Sequence, residues 1–354
     1  MVKFGSRIVG PGEPCFVTFE AGPTHEGFAS AKRLIDYAAA ANADAVKFQI
    51  VDPDRLVADR KQLFTYDVLV DRKTGATETV KEPLYDILCR RALAPPVWRQ
   101  LKAHADALGL AFFATVTFED ELEMVNSIGC HSVKIASADV TYHAFIRKAA
   151  RTGMCLQLDT GHASIGEIES AIDVCRQEGN DNVIIHHCPS GYPARLDGIN
   201  LRVIETLKRM FPFPVGFSDH SPGWEMDVAA VALGADLVEK TVTEDRATRS
   251  VEHVMSLEPP EMQRFVQLMQ ALHVALGSPR RIMSEQEKTT RNAVRRSAFV
   301  VHDTPAGTPL NRVQVEFRRP GFGIAPDLFE TLSEMKLKSD LKAGHRLAVS
   351  DLTG

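Results

Sequence analysis

Eight short runs of apolar and β-branched residues recur along the first 242 positions of the chain. Most of these runs are apolar on both faces, as strands buried within a parallel sheet are. They are predicted as strands and occupy residues 15–22, 44–50, 111–117, 132–137, 155–161, 183–189, 214–220 and 236–242.

Helical patterns follow most of the predicted strands. The clearest covers 28–41, where one helical face carries Ala31, Leu34, Ile35, Tyr37 and Ala38. Similar stretches are 119–128, 143–152, 165–178, 200–210 and 222–233. Eight β/α units in about 240 residues predict an α/β fold of the (β/α)8 TIM-barrel type. A doubly wound open sheet is the alternative, although no GxGxxG turn follows the first strand.

Two segments do not fit the β/α repeat. Residues 51–93 are longer than an ordinary βα loop, and such loops at the C-terminal face of a barrel are usually functional. A solvated surface hairpin is the alternative. Beyond residue 278 a polar, basic stretch gives way to short strands and turns. We predict a barrel domain (1–278), a linker (279–292) and a small β-rich domain (293–354) that docks on the barrel or on a second subunit.

Composition narrows the classes of partner. The net charge of −5 provides no global field that would favour nucleic acid or an anionic membrane, so any anion must be bound by a local pocket. We expect no secretory signal and no transmembrane helix, because the N-terminus lacks an apolar core and no apolar run reaches about 18 residues. The six cysteines are scattered without a CxxC pair, which predicts reduced thiols and a cytoplasmic location.

Polar residues cluster where the predicted strands end, which is where a TIM barrel holds its active site. Lysines and hydroxyls at one face are the groups that bind phosphate or carboxylate. One lysine alone would as readily be a buried ion pair, but Lys47, Lys134 and Lys240 all fall at strand ends. The other polar groups there are Glu20, Thr24, His25, Glu26, Gln49, Thr115, Thr117, Ser137, Asp139, Asp159, Thr160, His187, Ser190, Tyr192, Ser218, Asp219, His220, Glu239 and Thr241.

The motifs FEAGPTHEG, ADAVKFQ, VKIAS, LDTG, HHCPSGYP, PVGFSDHSPGWE, AVALGAD, VEHVMSLEP and RRPGFGI run in order along nearly the whole chain. In these motifs the chain resembles the sialic acid synthase family, which makes N-acetylneuraminate and related nonulosonates from phosphoenolpyruvate. The C-terminal module is similar to the antifreeze-like (SAF) domain of those enzymes. The motifs are specific to the family and do not identify the acceptor sugar.

The resemblance implies roles for individual residues. Lys47, Gln49 and Glu20 would face the reacting centre, with Glu20 a candidate for proton transfer. Arg319 would reach the sugar acceptor of a partner subunit, which implies a domain-swapped homodimer. His220 would be one of two ligands of a divalent metal such as Mn. The resemblance further implies a site group at Tyr192 and phosphoenolpyruvate-binding positions at Thr115, Lys134, Ser137, Ser190 and Ser218.

The implied reaction suits these residue types. The methylene carbon of phosphoenolpyruvate attacks the aldehyde of an open-chain amino sugar. Water then adds at C2 and phosphate leaves by C–O cleavage. Lysines that hold the phosphate and carboxylate would supply positioning and electrostatic stabilisation.

Four positions depart from the family pattern. Thr241 stands where the second metal-binding histidine is usual, and a hydroxyl is a poorer ligand for Mn than imidazole. We therefore expect little or no stimulation by Mn, with His253 as an alternative ligand. Asp159 replaces a serine near the phosphate, where a carboxylate repels phosphate unless it is protonated or paired with Lys134. Asp139 and Glu252, both candidate acid/base groups, replace a glutamate and an aspartate.

Other functions remain open at this level. The chain is either a divergent synthase with an unusual acceptor or a protein that has left this reaction. A Schiff-base aldolase is one alternative, because desolvated barrel lysines can act as nucleophiles. A non-catalytic protein that binds an anionic sugar is the other. Release of phosphate from phosphoenolpyruvate distinguishes a synthase from both.

Overall fold

The computed structural model describes residues 1–354 and contains sixteen strands. In chain order they are β1 (Val2–Phe4), β2 (Arg7–Val9), β3 (Phe16–Glu20), β4 (Ala45–Gln49), β5 (Leu63–Asp71), β6 (Ala76–Pro83), β7 (Ala111–Thr115), β8 (Ser132–Ile135), β9 (Cys155–Asp159), β10 (Val183–His187), β11 (Val215–Asp219), β12 (Leu237–Thr241), β13 (Ser297–Val300), β14 (Val315–Arg318), β15 (Lys336–Leu337) and β16 (Leu352–Thr353).

Thirteen α-helices accompany the strands. They are α1 (Phe28–Ala40), α2 (Pro53–Leu56), α3 (Leu84–Cys89), α4 (Pro95–Ala107), α5 (Glu119–Ser127), α6 (His143–Arg151), α7 (Ile165–Gln177), α8 (Leu196–Ile199), α9 (Val203–Met210), α10 (Glu225–Ala232), α11 (Pro259–Leu276), α12 (Glu285–Val294) and α13 (Pro326–Thr331).

Eight parallel strands close into a barrel in the order β3-β4-β7-β8-β9-β10-β11-β12, with β12 paired back onto β3. The predicted TIM barrel is confirmed, since every predicted strand and helix of the β/α repeat is present. The open-sheet alternative is wrong, because the β12–β3 pairing leaves no edge. That pairing sets Thr241 opposite Glu20, which brings the last and first strand ends together.

An apolar floor closes the N-terminal end of the barrel. The antiparallel hairpin β1–β2 pairs Val2 with Val9. Its side chains join a separate apolar cluster with residues that point into the barrel. Phe4 stacks on Phe16 with ring centroids 4.7 Å apart and meets the edge of Phe113 at 5.2 Å. The interior is therefore apolar at this end.

The long segment 51–93 is a folded insertion. Strands β5 and β6 form an antiparallel hairpin that is flanked by the short helices α2 and α3. Tyr66 and Val68 are buried against Ile87 and Val251. The hairpin is thus solvated on one face only, because residues two apart on a strand point to the same side.

Two helices without a sequence prediction complete the barrel wall. Helix α4 begins at Pro95, whose fixed φ suits the first turn of a helix. Helix α11 likewise begins at Pro259 and buries Phe265 against Phe19, with ring centroids 6.1 Å apart.

The chain divides into two compact units, Met1–Gly277 and Ser278–Gly354. The second unit pairs β13 with β14 and β15 with β16 around its own small apolar core. Helix α12 covers much of the stretch that was predicted as a linker, and Ser284 and Glu287 cap it reciprocally. The antifreeze-like identity of this unit stays a prediction. No helix of the chain combines the length and apolarity needed to cross a bilayer.

Candidate active site

Five ionisable side chains meet inside the barrel at the C-terminal ends of its strands. Glu239 Oε1 accepts hydrogen bonds from Lys47 Nζ at 3.0 Å and from Lys134 Nζ at 2.7 Å. Lys47 also pairs with Glu20, and Lys134 Nζ lies 3.0 Å from Asp159 Oδ1. The alternation of strand side chains explains the meeting, since each of these residues occupies an inward position.

Burial and pairing decide the charges in this cluster. Burial lowers the pKa of Lys47, but the carboxylates of Glu20 and Glu239 outweigh it and hold that pKa well above its ordinary value. Burial likewise opposes ionisation of Glu239, but Lys134 and Lys47 hold its pKa far below the usual range. The pKa of Glu20 is raised, chiefly by burial. Lys47 and Glu239 are therefore firmly charged, while Glu20 is protonated more readily than Glu239.

A row of neutral polar side chains, Ser132, Gln157 and His186, lies on the N-terminal side of the charged cluster. The donor and acceptor of each hydrogen bond in this row can be assigned. The Ser132 hydroxyl donates to the Cys155 carbonyl, so its oxygen accepts from Gln157 Nε2 at 2.7 Å. Gln157 Oε1 then accepts from His186 Nε2 at 2.8 Å. This leaves His186 Nδ1 to accept from the Ser218 hydroxyl at 3.1 Å.

Ser218 connects these polar groups to Lys134. Its oxygen accepts from Lys134 Nζ at 2.8 Å, and its single proton has His186 Nδ1 at 3.1 Å and Asp159 Oδ1 at 3.2 Å as acceptors. Burial lowers the pKa of His186 to about 4, so the ring is neutral as this pattern requires. Sequence reasoning missed His186, Gln157 and Ser132; the signal available was the period-two spacing of polar residues on these strands.

The predicted phosphoenolpyruvate positions Thr115, Ser137 and Ser190 lie at or just beyond the ends of β7, β8 and β10. Thr115 ends β7, next to Lys134 on one side and Gln49 on the other. Ser137 lies just beyond β8, as its sequence position suggested, and its hydroxyl is 3.2 Å from His162 Nδ1. Ser190 donates to the Gly161 carbonyl at 3.2 Å, at the mouth of the barrel.

A second group of residues lines the mouth on the side of β3, β4 and β12. A cavity of about 180 Å³ lies between the β5–β6 hairpin and the loop after β12, and Gln49, Tyr192 and Glu252 are among its lining residues. Tyr192 lies edge-on to His220 with ring centroids 4.8 Å apart, and 6.3 Å from Phe64 of the hairpin.

Glu252 and Thr241 form a buried pair beside this cavity. Thr241 Oγ1 donates to Glu252 Oε2 at 3.3 Å. Burial, followed by the charge of Glu20, raises the pKa of Glu252 to about 8. At neutral pH this carboxyl is therefore mostly protonated. Glu252 also has a positive φ of 68°, an uncommon conformation for a residue with a side chain, which turns the loop into the short 3₁₀ turn His253–Met255.

Arg91 holds the loops around the mouth together. Its buried guanidinium donates to the carbonyls of Pro23 and His25 and, at 2.9 Å, to Ser250 Oγ. The loop after β3 and the loop that carries Glu252 are thus tied to one side chain. Sequence reasoning missed this residue, which has no motif to mark it.

Several of the polar residues that were predicted as site candidates at the strand ends point away from the barrel interior. Lys240 faces outwards, where it pairs with Asp219 and lies 3.7 Å from Asp227. The prediction that three lysines share the inner face is therefore wrong, because only Lys47 and Lys134 lie there. His187 also faces outwards and donates through Nε2 to the Ile199 carbonyl at 2.6 Å, while its neighbour His186 points inwards.

Two further candidates lie apart from the charged cluster. Asp139 is half-buried in the turn after β8 and makes no side-chain hydrogen bond, while burial raises its pKa. Arg319 lies in the second unit, directly after β14.

The residues at the expected metal position do not fit a divalent cation. His220 Nδ1 donates to the Pro189 carbonyl at 3.1 Å, which leaves one imidazole nitrogen free. The Thr241 hydroxyl beside it is engaged with Glu252. His253, the alternative ligand, faces Thr243 at 2.7 Å instead. No group of three or more His, Cys, Asp or Glu side chains is arranged to hold a metal.

Comparisons with known proteins agree with this architecture. Residues 34–281 match the family described as the NeuB family. The N,N'-diacetyllegionaminic acid synthase of Legionella pneumophila is 32% identical over 97% of this chain and 96% of its own length. The pseudaminic acid synthase of Campylobacter jejuni is 30% identical over 95% and 96%. The crystal structure of an N-acetylneuraminic acid synthetase from Leptospira borgpetersenii, in complex with citrate, superposes with a TM-score of 0.71 at 30% identity, covering 83% of this chain and 96% of that one.

Proposed function

The chain belongs to the NeuB family, and we propose that it condenses phosphoenolpyruvate with the aldehyde of an open-chain amino sugar, giving a nonulosonic (sialic-acid-like) acid and phosphate. The observation that carries this proposal is the convergence of Lys47, Lys134 and Ser218 at the strand ends of a closed barrel. The relatives named as legionaminic and pseudaminic acid synthases support it.

In the proposed reaction, the buried lysines provide fixed positive charge for the phosphate and carboxylate of phosphoenolpyruvate. The methylene carbon forms a bond to the aldehyde carbon, and the aldehyde oxygen takes up a proton. Water then adds to the cationic C2 and loses a proton, and the C2–O bond breaks to release phosphate. Because the lysines are held by carboxylates before the substrate arrives, little reorganisation accompanies the reaction.

Glu252 is the proposed hydrogen-bond donor to the aldehyde oxygen. Its raised pKa, about 8, leaves it protonated at neutral pH, and it lines the mouth cavity near Tyr192 and Gln49. A neutral carboxylic acid in a buried site can polarise a carbonyl in this way. Glu20, a carboxylate of the inner cluster whose pKa is raised by burial, is the proposed group for proton transfer at the reacting centre.

The acceptor side of the proposal extends to a second subunit. We propose that Arg319 of a partner subunit contacts the sugar in a domain-swapped homodimer, and that the enzyme acts in the cytoplasm without a bound metal. The proposed acceptor sugar is an aldose with three carbons fewer than the acid product, because phosphoenolpyruvate contributes three carbons.

Phosphate release from phosphoenolpyruvate, measured with acceptor aldoses that correspond to neuraminic, legionaminic and pseudaminic acids, tests the function. At least one acceptor should stimulate release. Lys134→Met should abolish it, whereas Lys288→Met, on the exposed face of α12, should not. Binding of phosphoenolpyruvate with no release for any acceptor would favour a non-catalytic binding protein.

The Schiff-base alternative has less support. The raised pKa of Lys47 keeps its amine protonated, and Lys240 lies outside the barrel. Reduction with borohydride in the presence of pyruvate should therefore leave no covalent adduct. An adduct on Lys47 or Lys134 would contradict the proposed reaction.

A further inference from the structure

Three acceptor groups enclose the ammonium group of Lys134. It donates hydrogen bonds to Glu239 at 2.7 Å and to Ser218 at 2.8 Å, and it forms an ion pair with Asp159 Oδ1 at 3.0 Å. The Lys134 side chain is 0% exposed, so its ammonium group is not open to the mouth of the barrel. A phosphate that binds Lys134 must therefore take the place of one of these acceptors.

Asp159 is the partner that can leave. The Glu239 side chain is only 4% exposed and is bound to both lysines, so its removal would break two ion pairs at once. Ser218 contacts both Asp159 and His186, so it keeps His186 as a partner when Asp159 leaves. The Asp159 side chain is 13% exposed, and it lies at the last residue of β9, on the open side of Lys134.

Binding of phosphate in place of Asp159 at Lys134 brings two negatively charged groups together. A phosphate dianion and the Asp159 carboxylate are both pure acceptors, so they cannot hydrogen-bond to each other unless a proton lies between them. The cluster already contains three carboxylates and two ammonium groups. Placing a dianion beside all three carboxylates is unfavourable, whereas one added proton both removes a charge and supplies a donor.

We propose that the phosphate of phosphoenolpyruvate displaces Asp159 from Lys134, and that Asp159 takes up one proton from solvent and donates it as a hydrogen bond to a phosphate oxygen. This rests on the proposed function and deepens it, because it assigns Asp159 as the residue that sets the charge state of the bound phosphate. No covalent bond changes in this step; one proton moves from water to the complex.

The neutral and cationic groups that face Asp159 do not take up the proton. The His186 ring is neutral, since burial lowers its pKa to about 4. Burial likewise lowers the pKa of His220 and raises those of Cys188 and Tyr192, so all three stay neutral near pH 7. The charged groups are Lys134 on β8, Lys47 on β4 and Glu239 on β12. Glu20, whose pKa is raised, is the competing site.

Calorimetry of phosphoenolpyruvate binding to the full-length protein tests this inference. Titrations in two buffers of different ionisation enthalpy, at pH 8, count the protons taken up. We expect about one proton for the wild type and about none for Asp159→Ser. The dissociation constant of the wild type should rise about tenfold per pH unit between pH 7 and 9, a range above the second pKa of a phosphate monoester, which is about 6. That of Asp159→Ser should rise less steeply, because the ionisation of Glu252 near pH 8 is then the remaining source of pH dependence.

Two variants serve as controls. Asp159→Asn keeps the size of the protonated acid, and should bind phosphoenolpyruvate without proton uptake. Asp181→Asn makes the same chemical change on an 80% exposed side chain and should keep the uptake of the wild type. Uptake that persists in Asp159→Ser would overturn the inference and point to Glu20. Failure of wild type and both Asp159 variants to bind phosphoenolpyruvate would instead overturn the proposed function, and this inference with it.

Discussion

Glu239 Oε1 lies 2.7 Å from Lys134 Nζ and accepts a second hydrogen bond from Lys47, so one carboxylate oxygen holds both lysines of the barrel centre. The other oxygen, Oε2, is buried without a hydrogen-bond partner. Two ammonium groups buried this closely would repel each other without that carboxylate. Glu239 is therefore the residue on which the arrangement of the anion site depends.

Replacing Glu239 with Gln should strongly destabilise the protein. The amide keeps the shape but removes the charge between the two buried lysines, and breaking a buried ion pair on one side costs about 3–5 kcal/mol. Chemical unfolding followed by circular dichroism measures the loss. Glu285→Gln is the control: this α12 side chain is 87% exposed, and its replacement should change stability by less than about 1 kcal/mol. Equal stability of the two variants would contradict the assignment.

The orientation of Ser218 by His186 predicts a graded response to substitution. His186→Gln can still donate to Gln157 and accept from Ser218, whereas His186→Leu leaves Gln157 Oε1 unpaired, at about 1–3 kcal/mol, and frees the Ser218 hydroxyl to turn to Asp159. We expect kcat/KM to fall about tenfold more in the leucine variant than in the glutamine variant. Because the pKa of His186 is about 4, neither variant should alter the pH profile between pH 6 and 8. An altered profile would give His186 a role in proton transfer.

The Thr241–Glu252 pair predicts the metal response. The wild type should show little stimulation by Mn, and EDTA should leave its activity unchanged. Thr241→His adds a second imidazole beside the free nitrogen of His220 and should raise the affinity for Mn, measured by the loss of the free-ion paramagnetic resonance signal. Thr289→His, on the surface of α12, is the matched control. Loss of wild-type activity in EDTA, restored by Mn, would contradict the prediction.

Glu252 should make folding stability depend on pH. Its pKa rises from 4.5 to about 8 on folding, so the folded chain binds the proton more tightly than the unfolded chain does. The stabilising contribution is fully present below pH 4.5 and is lost as the pH rises towards 8, on the order of several kcal/mol in total. Glu252→Gln should flatten the unfolding midpoint over this window relative to Glu123→Gln, a change on an exposed face of α5. A slope as steep as that of the wild type would place the titration elsewhere.

The sequence predicts the barrel well because its signal is local. Runs such as 183–189 and 214–220 carry enough apolar residues to be recognised one at a time, and their alternation places Lys47 and Gln49 on one face. Helices α4 and α11, which begin at Pro95 and Pro259, were not predicted because neither directly follows a barrel strand as the simple repeat would require.

Which of two adjacent polar residues faces inwards is harder to predict. His186 and His187 are neighbours, as are Glu239 and Lys240, and composition alone does not separate the members of each pair. The choice depends on strand register, here Ser218 opposite Glu239, which involves residues far apart in the chain. A register shift of one residue would exchange the inward-facing and outward-facing side chains. The charged residues of the site could therefore be identified only from the structure.

The apolar floor formed by β1 and β2 has a kinetic consequence. With Phe4, Phe16 and Phe113 closing one end, reactants and products share a single opening at the other. Lys134 is fully buried, whereas Tyr192 at the mouth is 36% exposed. A molecule seated over the mouth would block the way to Lys134, so we expect compulsory-order kinetics in which phosphoenolpyruvate enters before the sugar and the sugar acid departs before phosphate.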